Sequence, residues 1–195
     1  MTLNLKQQKA AETKNRLIDS ALRVFSAKGF GASTTKDIAK EAGVTDGLIY
    51  HYFSSKEELL WAVIDKHTLN NDLEKAIRDF PTGNSLEELL FAYFTKLLDT
   101  LHAKSELIVM FFGEAQRNPA IHQRLVQLVE AGMKPLVRLL TEKGIPQSPE
   151  LHLAVRNMHT SFVMYFLLFG RNAKDKQEHV LYITATVKQF LKAIL

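Results

Sequence analysis

Residues 34–56, TTKDIAKEAGVTDGLIYHYFSSK, constrain the fold of this 195-residue chain more than any other stretch. Thr34 and Thr35 can each cap a helix N-terminus. Asp37 stands three residues after Thr34, where a capping box places its return partner. Ile38, Ala39 and Ala42 give that helix one apolar face. Gly43 ends it, since the residue after a helix C-terminus commonly turns left-handed. Val44 points back into the core, and Thr45 is placed to cap the next helix, whose apolar residues are Leu48, Ile49, Tyr52 and Phe53. The pattern predicts helix 34–42, a tight turn and helix 45–52. This is a helix-turn-helix, the arrangement that seats its second helix in a DNA major groove.

The rest of the chain also reads as helix. Leu17, Ala21, Val24 and Phe25 repeat at helical spacing and predict helix 8–28, stopped by Gly29. A long helix is expected from Ser55, with Glu58 completing a second capping box, through Trp61 and Ile64 toward Phe80. Pro81-Thr82-Gly83-Asn84 breaks the pattern. Ser85 with Glu88 opens helix 85–103, and a shorter helix spans 105–116. Asn118-Pro119 opens helix 118–143, in which Pro135 predicts a kink. Ser148-Pro149 opens helix 148–169, stopped by Gly170, and a last helix covers 175–193. No period-2 alternation appears. The fold class is all-α with about nine helices. Residues 1–56 form a three-helix head and residues 57–195 a helical body.

Charge supports that division. Residues 1–56 hold nine Lys/Arg against five Asp/Glu, whereas the remainder holds sixteen of each, so the net +4 lies entirely on the head. A cationic head on a neutral body is the asymmetry expected of a polyanion binder. Cysteine is absent, which excludes disulfides and thiolate metal ligands and fits a reducing compartment. The N-terminus lacks an apolar segment of the signal-peptide type. The longest apolar run, Phe162 to Phe169, is far short of the roughly 20 residues a bilayer requires. A cytoplasmic protein with no membrane partner is expected. The seven histidines show no metal-ligand spacing, and no cofactor motif appears. GxSxG, HExxH and P-loop motifs are missing, so the chain is not expected to be an enzyme.

At Thr35, Ile38-Ala39, Ala42 to Val44, Thr45, Ile49, Tyr50, Tyr52, Phe53 and Lys56 the chain resembles the TetR (tetracycline-repressor-like) family of bacterial regulators. Motif-level resemblance covers residues 10–62. It implies that Thr35, Thr45, Tyr50, His51 and Lys56 touch DNA phosphates. Helical periodicity independently turns Thr45, Tyr50 and His51 outward. Lys56 occupies the first turn of its helix, where a cation opposes the macrodipole, and this points to a partner outside the fold. Asp46 and Gly47 open the recognition helix and are expected at base edges. Gly47 permits close approach, and Asp46 could accept from a cytosine amine.

The resemblance also implies a homodimer through the last two helices and a body that takes a small-molecule effector. Candidate pocket residues are the apolar Phe91, Phe94, Met110, Phe111, Phe162, Tyr165 and Phe166. Beside them stand the polar His102, Glu114, Arg117, Asn157 and His159, the mix expected of a hydrophobic ligand with one polar end. The function read from this is a ligand-responsive regulator released from a palindromic double-stranded DNA operator. The alternative is a helical carrier or sensor of a lipid-like molecule that does not regulate DNA.

Overall fold

The computed structural model describes residues 4–67, 70–79, 85–170 and 176–195. Ten helices are found among them: α1 (Leu5–Lys28), α2 (Thr35–Ala42), α3 (Asp46–Tyr52), α4 (Lys56–His67), α5 (Asn70–Arg78), α6 (Leu86–Ala103), α7 (Ser105–Ala115), α8 (Pro119–Glu142), α9 (Pro149–Leu168) and α10 (Lys176–Ile194). The described residues contain no strand. The expected helix from Ser55 toward Phe80 is represented by α4 and α5. Its continuity would rest on residues 68–69, which lie outside the described residues, as do Phe80, the break at 81–84 and the expected start at Asp175.

The chain divides into two compact units. One comprises residues 1–68 with 106–119, and the other 69–105 with 120–195. The unit holding the head thus extends past residue 56, through α4, and takes in α7.

Local sequence signals account for most helix ends in the first unit. Asn4 caps α1, earlier than expected, and Gln7 returns to its N–H. Gly29 ends α1 at φ 80°, donating to the Phe25 carbonyl. At α2 the Thr34 hydroxyl accepts from Asp37 N–H at 3.1 Å, and the Asp37 carboxylate accepts from Thr34 N–H at 3.0 Å. Lys28, then Thr34, hold the Asp37 carboxyl down to about 2. Gly43 takes the left-handed conformation, φ 65° and ψ 38°, and Val44 N–H reaches back to the Ala39 carbonyl at 3.0 Å. This terminates α2 in the way the glycine predicts. A Cβ on Gly43 would meet nothing within 4 Å, so only backbone strain opposes Gly43→Ala. That variant is expected to lose about 1 kcal/mol from this unit. Urea unfolding followed by fluorescence of Trp61, the single tryptophan, checks it.

Two expected caps differ in the structure. Thr45 occupies the N-cap of α3 but its side chain makes no capping hydrogen bond. The first turn closes instead through the Thr45 carbonyl and Leu48 N–H, at 3.0 Å. Glu58 accepts from Ser54 N–H and hydroxyl, each at 2.6 Å, so the return half of the α4 box lands one residue before Ser55. The Ser55 hydroxyl keeps the other half, accepting from Glu58 N–H at 3.1 Å. Leu17, Ala21, Phe25, Ile38, Ile49, Phe53, Leu59 and Leu60 are buried and form the core of this unit. Each such side chain contributes roughly 1.5–3 kcal/mol of burial if fully removed from water.

In the second unit, the Ser85–Glu88 box opens α6 and Ser148 with Pro149 opens α9, both as expected. Pro135 lies inside α8 and cannot donate to the carbonyl one turn earlier. Helix α6 packs against α5, α9 and α10. Leu90, Phe94, Leu136, Leu140, Val155, Phe162, Phe166 and Val187 are buried there. Among the described residues no helix is long and apolar enough to cross a membrane.

Candidate nucleic-acid interface

Helix α3 divides into two faces. Ile49 is buried, and Phe53 just beyond the helix is buried with it. Thr45, Gly47, Tyr50 and His51 are exposed, Tyr50 at 56%. The Thr35 hydroxyl lies 3.3 Å from the Tyr50 hydroxyl, so the first turn of α2 and the middle of α3 share one polar edge. Because the Thr45 hydroxyl is not spent on capping, it too is available to an outside acceptor. A Cβ on Gly47 would meet nothing within 4 Å, so this edge of the backbone is open. The His51 ring rests edge-on against Tyr52 at 5.2 Å. Asp46 is half-buried. One of its carboxylate oxygens is shielded from water without a hydrogen-bond partner, in the first turn of α3, where an anion is favoured by the helix dipole.

Cations around this edge fall into two groups. Arg23 pairs with Glu41 at 2.7 Å and Lys28 with Asp37 at 2.6 Å, so neither is uncommitted. Lys36, beside Thr35 on α2, is exposed and pairs with no carboxylate among the described residues; it was not among the residues expected at DNA. Its only signal was adjacency to the motif threonine.

Lys56, expected to serve a partner outside the fold, also has partners inside it. Its ammonium donates to the Phe30 carbonyl at 2.7 Å and the Ser33 carbonyl at 2.8 Å, and lies 4.4 Å from the centre of the Phe30 ring. Two carbonyl dipoles and a ring face offset its unfavourable place in the first turn of α4.

The pocket candidates fall into both compact units. Met110 and Phe111 are buried on α7 in the first unit, and Glu114 is engaged there with Phe30 N–H at 2.9 Å. Arg117, in the turn between α7 and α8, and Asn157, on α9, are exposed. The remaining candidates belong to the second unit. Phe94 stacks on Phe162 with centroids 4.3 Å apart, and its edge meets His159 at 5.3 Å. Tyr165 stacks on Tyr182 at 3.9 Å, and His102 lies edge-on to Phe166 at 5.1 Å. Phe91, on α6, is half-buried.

The two histidines here are held by the fold. His159 lies between the Tyr93 hydroxyl, 2.8 Å from Nε2, and the Val155 carbonyl, 2.9 Å from Nδ1. The carbonyl can only accept, so Nδ1 carries the proton and Nε2 accepts from Tyr93. Burial pushes the imidazole down to about 4 and the Tyr93 hydroxyl well above the tyrosine range, which keeps both groups neutral. Both nitrogens of His102 face carbonyls, Leu98 at 2.7 Å and Gly170 at 2.8 Å. A neutral ring can donate to only one of them.

The family model described as "Bacterial regulatory proteins, tetR family" matches residues 17–63, the stretch that contains α2, α3 and most of α4. The regulator SrpR of Pseudomonas putida is 28% identical over 88% of this chain and 81% of its own length. The fatty acid metabolism regulator protein of Bacillus subtilis is 31% identical over 70% of this chain and 69% of its own length. A crystal structure described as a TetR-family regulator from Mesorhizobium loti superimposes with a TM-score of 0.78 at 21% identity, covering 93% of this chain and 96% of that one. The matched residues, the relatives and the fold agree: this chain belongs to the TetR family of bacterial regulatory proteins, DNA-binding helix-turn-helix transcriptional regulators that respond to ligands.

Proposed function

We propose that this chain works as a homodimeric repressor that sits on a palindromic operator and leaves it when the body takes up a small, largely hydrophobic effector. The observation that carries the DNA half is the outer edge of α3. Thr35, Thr45 and Tyr50 bring hydroxyls there while Ile49 and Phe53 are buried behind it. Hydroxyls and uncommitted lysines suit phosphate oxygens, and the open backbone at Gly47 suits close approach to base edges. Thr35, Thr45, Tyr50, His51 and the newly noted Lys36 are assigned to phosphate, Asp46 and Gly47 to bases.

Pairing is supported by exposed apolar residues on α9 and α10. Met164 is 44% exposed, Leu168 65%, Val180 51% and Leu181 69%, apolar surface of the kind that a partner chain covers. Two such chains related by a two-fold axis would present two α3 helices about 34–36 Å apart, one turn of DNA. The hydrophobic effector is supported by the aromatic set on α6 and α9 and by the likeness to a fatty acid metabolism regulator. Phe91, Phe94, Phe162, Tyr165 and Phe166 are its proposed lining. His102 and His159 position that lining through bonds inside the fold.

Selection of bound duplexes from a randomised DNA pool tests the reading. The wild type is expected to enrich a palindrome. Tyr50→Phe keeps the ring and removes one hydrogen bond to phosphate in each head, so it should bind that palindrome about tenfold or more weakly. Lys56→Ala is unsuitable for this purpose, because it strips partners from two backbone carbonyls of the head. A folded wild type that enriches no sequence overturns the proposal.

A further inference from the structure

We propose that Phe30 is the point at which the effector-binding body grips the reading head, with Glu114 and Lys56 as the positioning residues that hold it. The inference rests on the regulatory reading above.

Phe30 lies in the four-residue connection between Gly29, which ends α1, and Thr34, which caps α2. Its backbone N–H donates to no carbonyl; it donates to the Glu114 carboxylate at 2.9 Å. Its carbonyl accepts from the Lys56 ammonium at 2.7 Å. Its ring is buried, edge-on with Phe25 at 5.2 Å, and the Lys56 ammonium lies over it, 4.4 Å from its centre. The N–H of this buried residue is thus satisfied by a side chain from another helix, and its carbonyl is shared between the Lys56 ammonium and the Ser33 N–H, the latter at 3.3 Å. The Glu114 oxygen also lies 3.2 Å from where a Cβ on Gly29 would stand, so the carboxylate presses directly on the turn that releases α1.

The origin of Glu114 gives this arrangement its consequence. Residues 1–68 form the rest of the first unit, and α7 is contributed to it from 84 residues further along the chain. The chain leaves the second unit at Ser105 and returns to it at Ala120. A rearrangement of the body therefore pulls on both ends of α7 and reaches Phe30 through Glu114. From Phe30 the effect runs two ways. Thr34, which starts α2, lies four residues on. Lys56, which starts α4, follows the end of α3 by three intervening residues. The reader is thus held at its entrance and its exit. The Phe30 N–H is part-buried and Glu114 is its acceptor, so withdrawal of Glu114 costs this N–H its partner and favours a different arrangement of the loop.

Coupling between two sites is reciprocal, so DNA on the head must be felt in the body. The full-length protein is bound to a duplex recovered from the pool selection, and amide hydrogen exchange is read in α6 and α9. In the wild type, DNA is expected to change exchange there. In Glu114→Ala the duplex still binds, because no DNA contact is removed, but the change in α6 and α9 is lost. Glu114→Gln, whose amide oxygen accepts the same N–H, restores it. Glu114→Ser, too short to reach Phe30, gives the same reading as alanine should the alanine variant not fold. An undiminished response in Glu114→Ala or Glu114→Ser overturns the coupling. A wild type that binds no selected duplex overturns the regulatory reading first.

Discussion

Lowering the pH from 6.5 to 4 is expected to remove roughly 3 kcal/mol of stability through His159 alone. The ring is held among Tyr93, Val155 and Phe94, and burial holds its folded-state value near 4 against an ordinary 6.5. Between those values the unfolded chain binds a proton that the folded chain does not, so stability rises with pH across the window. The contribution is complete above 6.5, declines as the pH falls and is exhausted below about 4. Protonation would place a second donor at Nε2, facing the Tyr93 hydroxyl, in a site built for a neutral acceptor. Asp37 titrates in a different place. Its carboxyl is held to about 2, so whatever it contributes is lost only on further acidification, below its ordinary 3.8. Urea unfolding followed by circular dichroism at several pH values separates the two. His159→Gln should flatten the slope between 4 and 6.5 while leaving the steeper acid limb. Parallel curves for the two proteins would rule out His159 as the source.

What the sequence could convey depended on the distance between partners. Thr34 and Asp37, Ser85 and Glu88, and Gly43 with the residues it terminates interact within four or five positions, and the structure has them as expected. The outward face of α3 was legible for the same reason, since Ile49 and Phe53 are one helical turn apart. The adjacent serines 54 and 55 defeated the rule, because either can face Glu58 and only the chain's path into α4 selects one. The acceptors of Lys56 inside the fold were not legible because Phe30 and Ser33 lie 26 and 23 residues away. His159 finds Tyr93 across 66 residues and His102 finds Gly170 across 68. A polar residue in an apolar segment therefore looks like a ligand contact until its long-range partner is known. Arg117 lies in the turn between α7 and α8 and Asn157 on the exposed face of α9, placements that neighbouring apolar residues in sequence do not specify.

Phe53→Ala is expected to cost about 3–5 kcal/mol, the range for emptying a large aromatic from a packed core. Phe53 is 2% exposed, and its N–H closes α3 by donating to the Ile49 carbonyl at 2.9 Å. Its ring fills the space behind the recognition helix, with the Lys14 ammonium 5.5 Å from its centre. A loss of that size is a large fraction of the 5–15 kcal/mol typical of a folded domain. Trp61 belongs to the same unit, so its fluorescence in urea should report the shift directly, and operator binding should fall with it. Tyr50→Ala supplies the contrast. Tyr50 is 56% exposed, and its removal should leave the Trp61 transition within about 0.5 kcal/mol of wild type while operator affinity drops. The pair distinguishes a reading head from a three-helix bundle that only holds the chain together. In a reading head, stability and DNA affinity separate at Tyr50 and fall together at Phe53. If Tyr50→Ala left DNA affinity unchanged, the exposed edge of α3 would not be the surface that meets DNA.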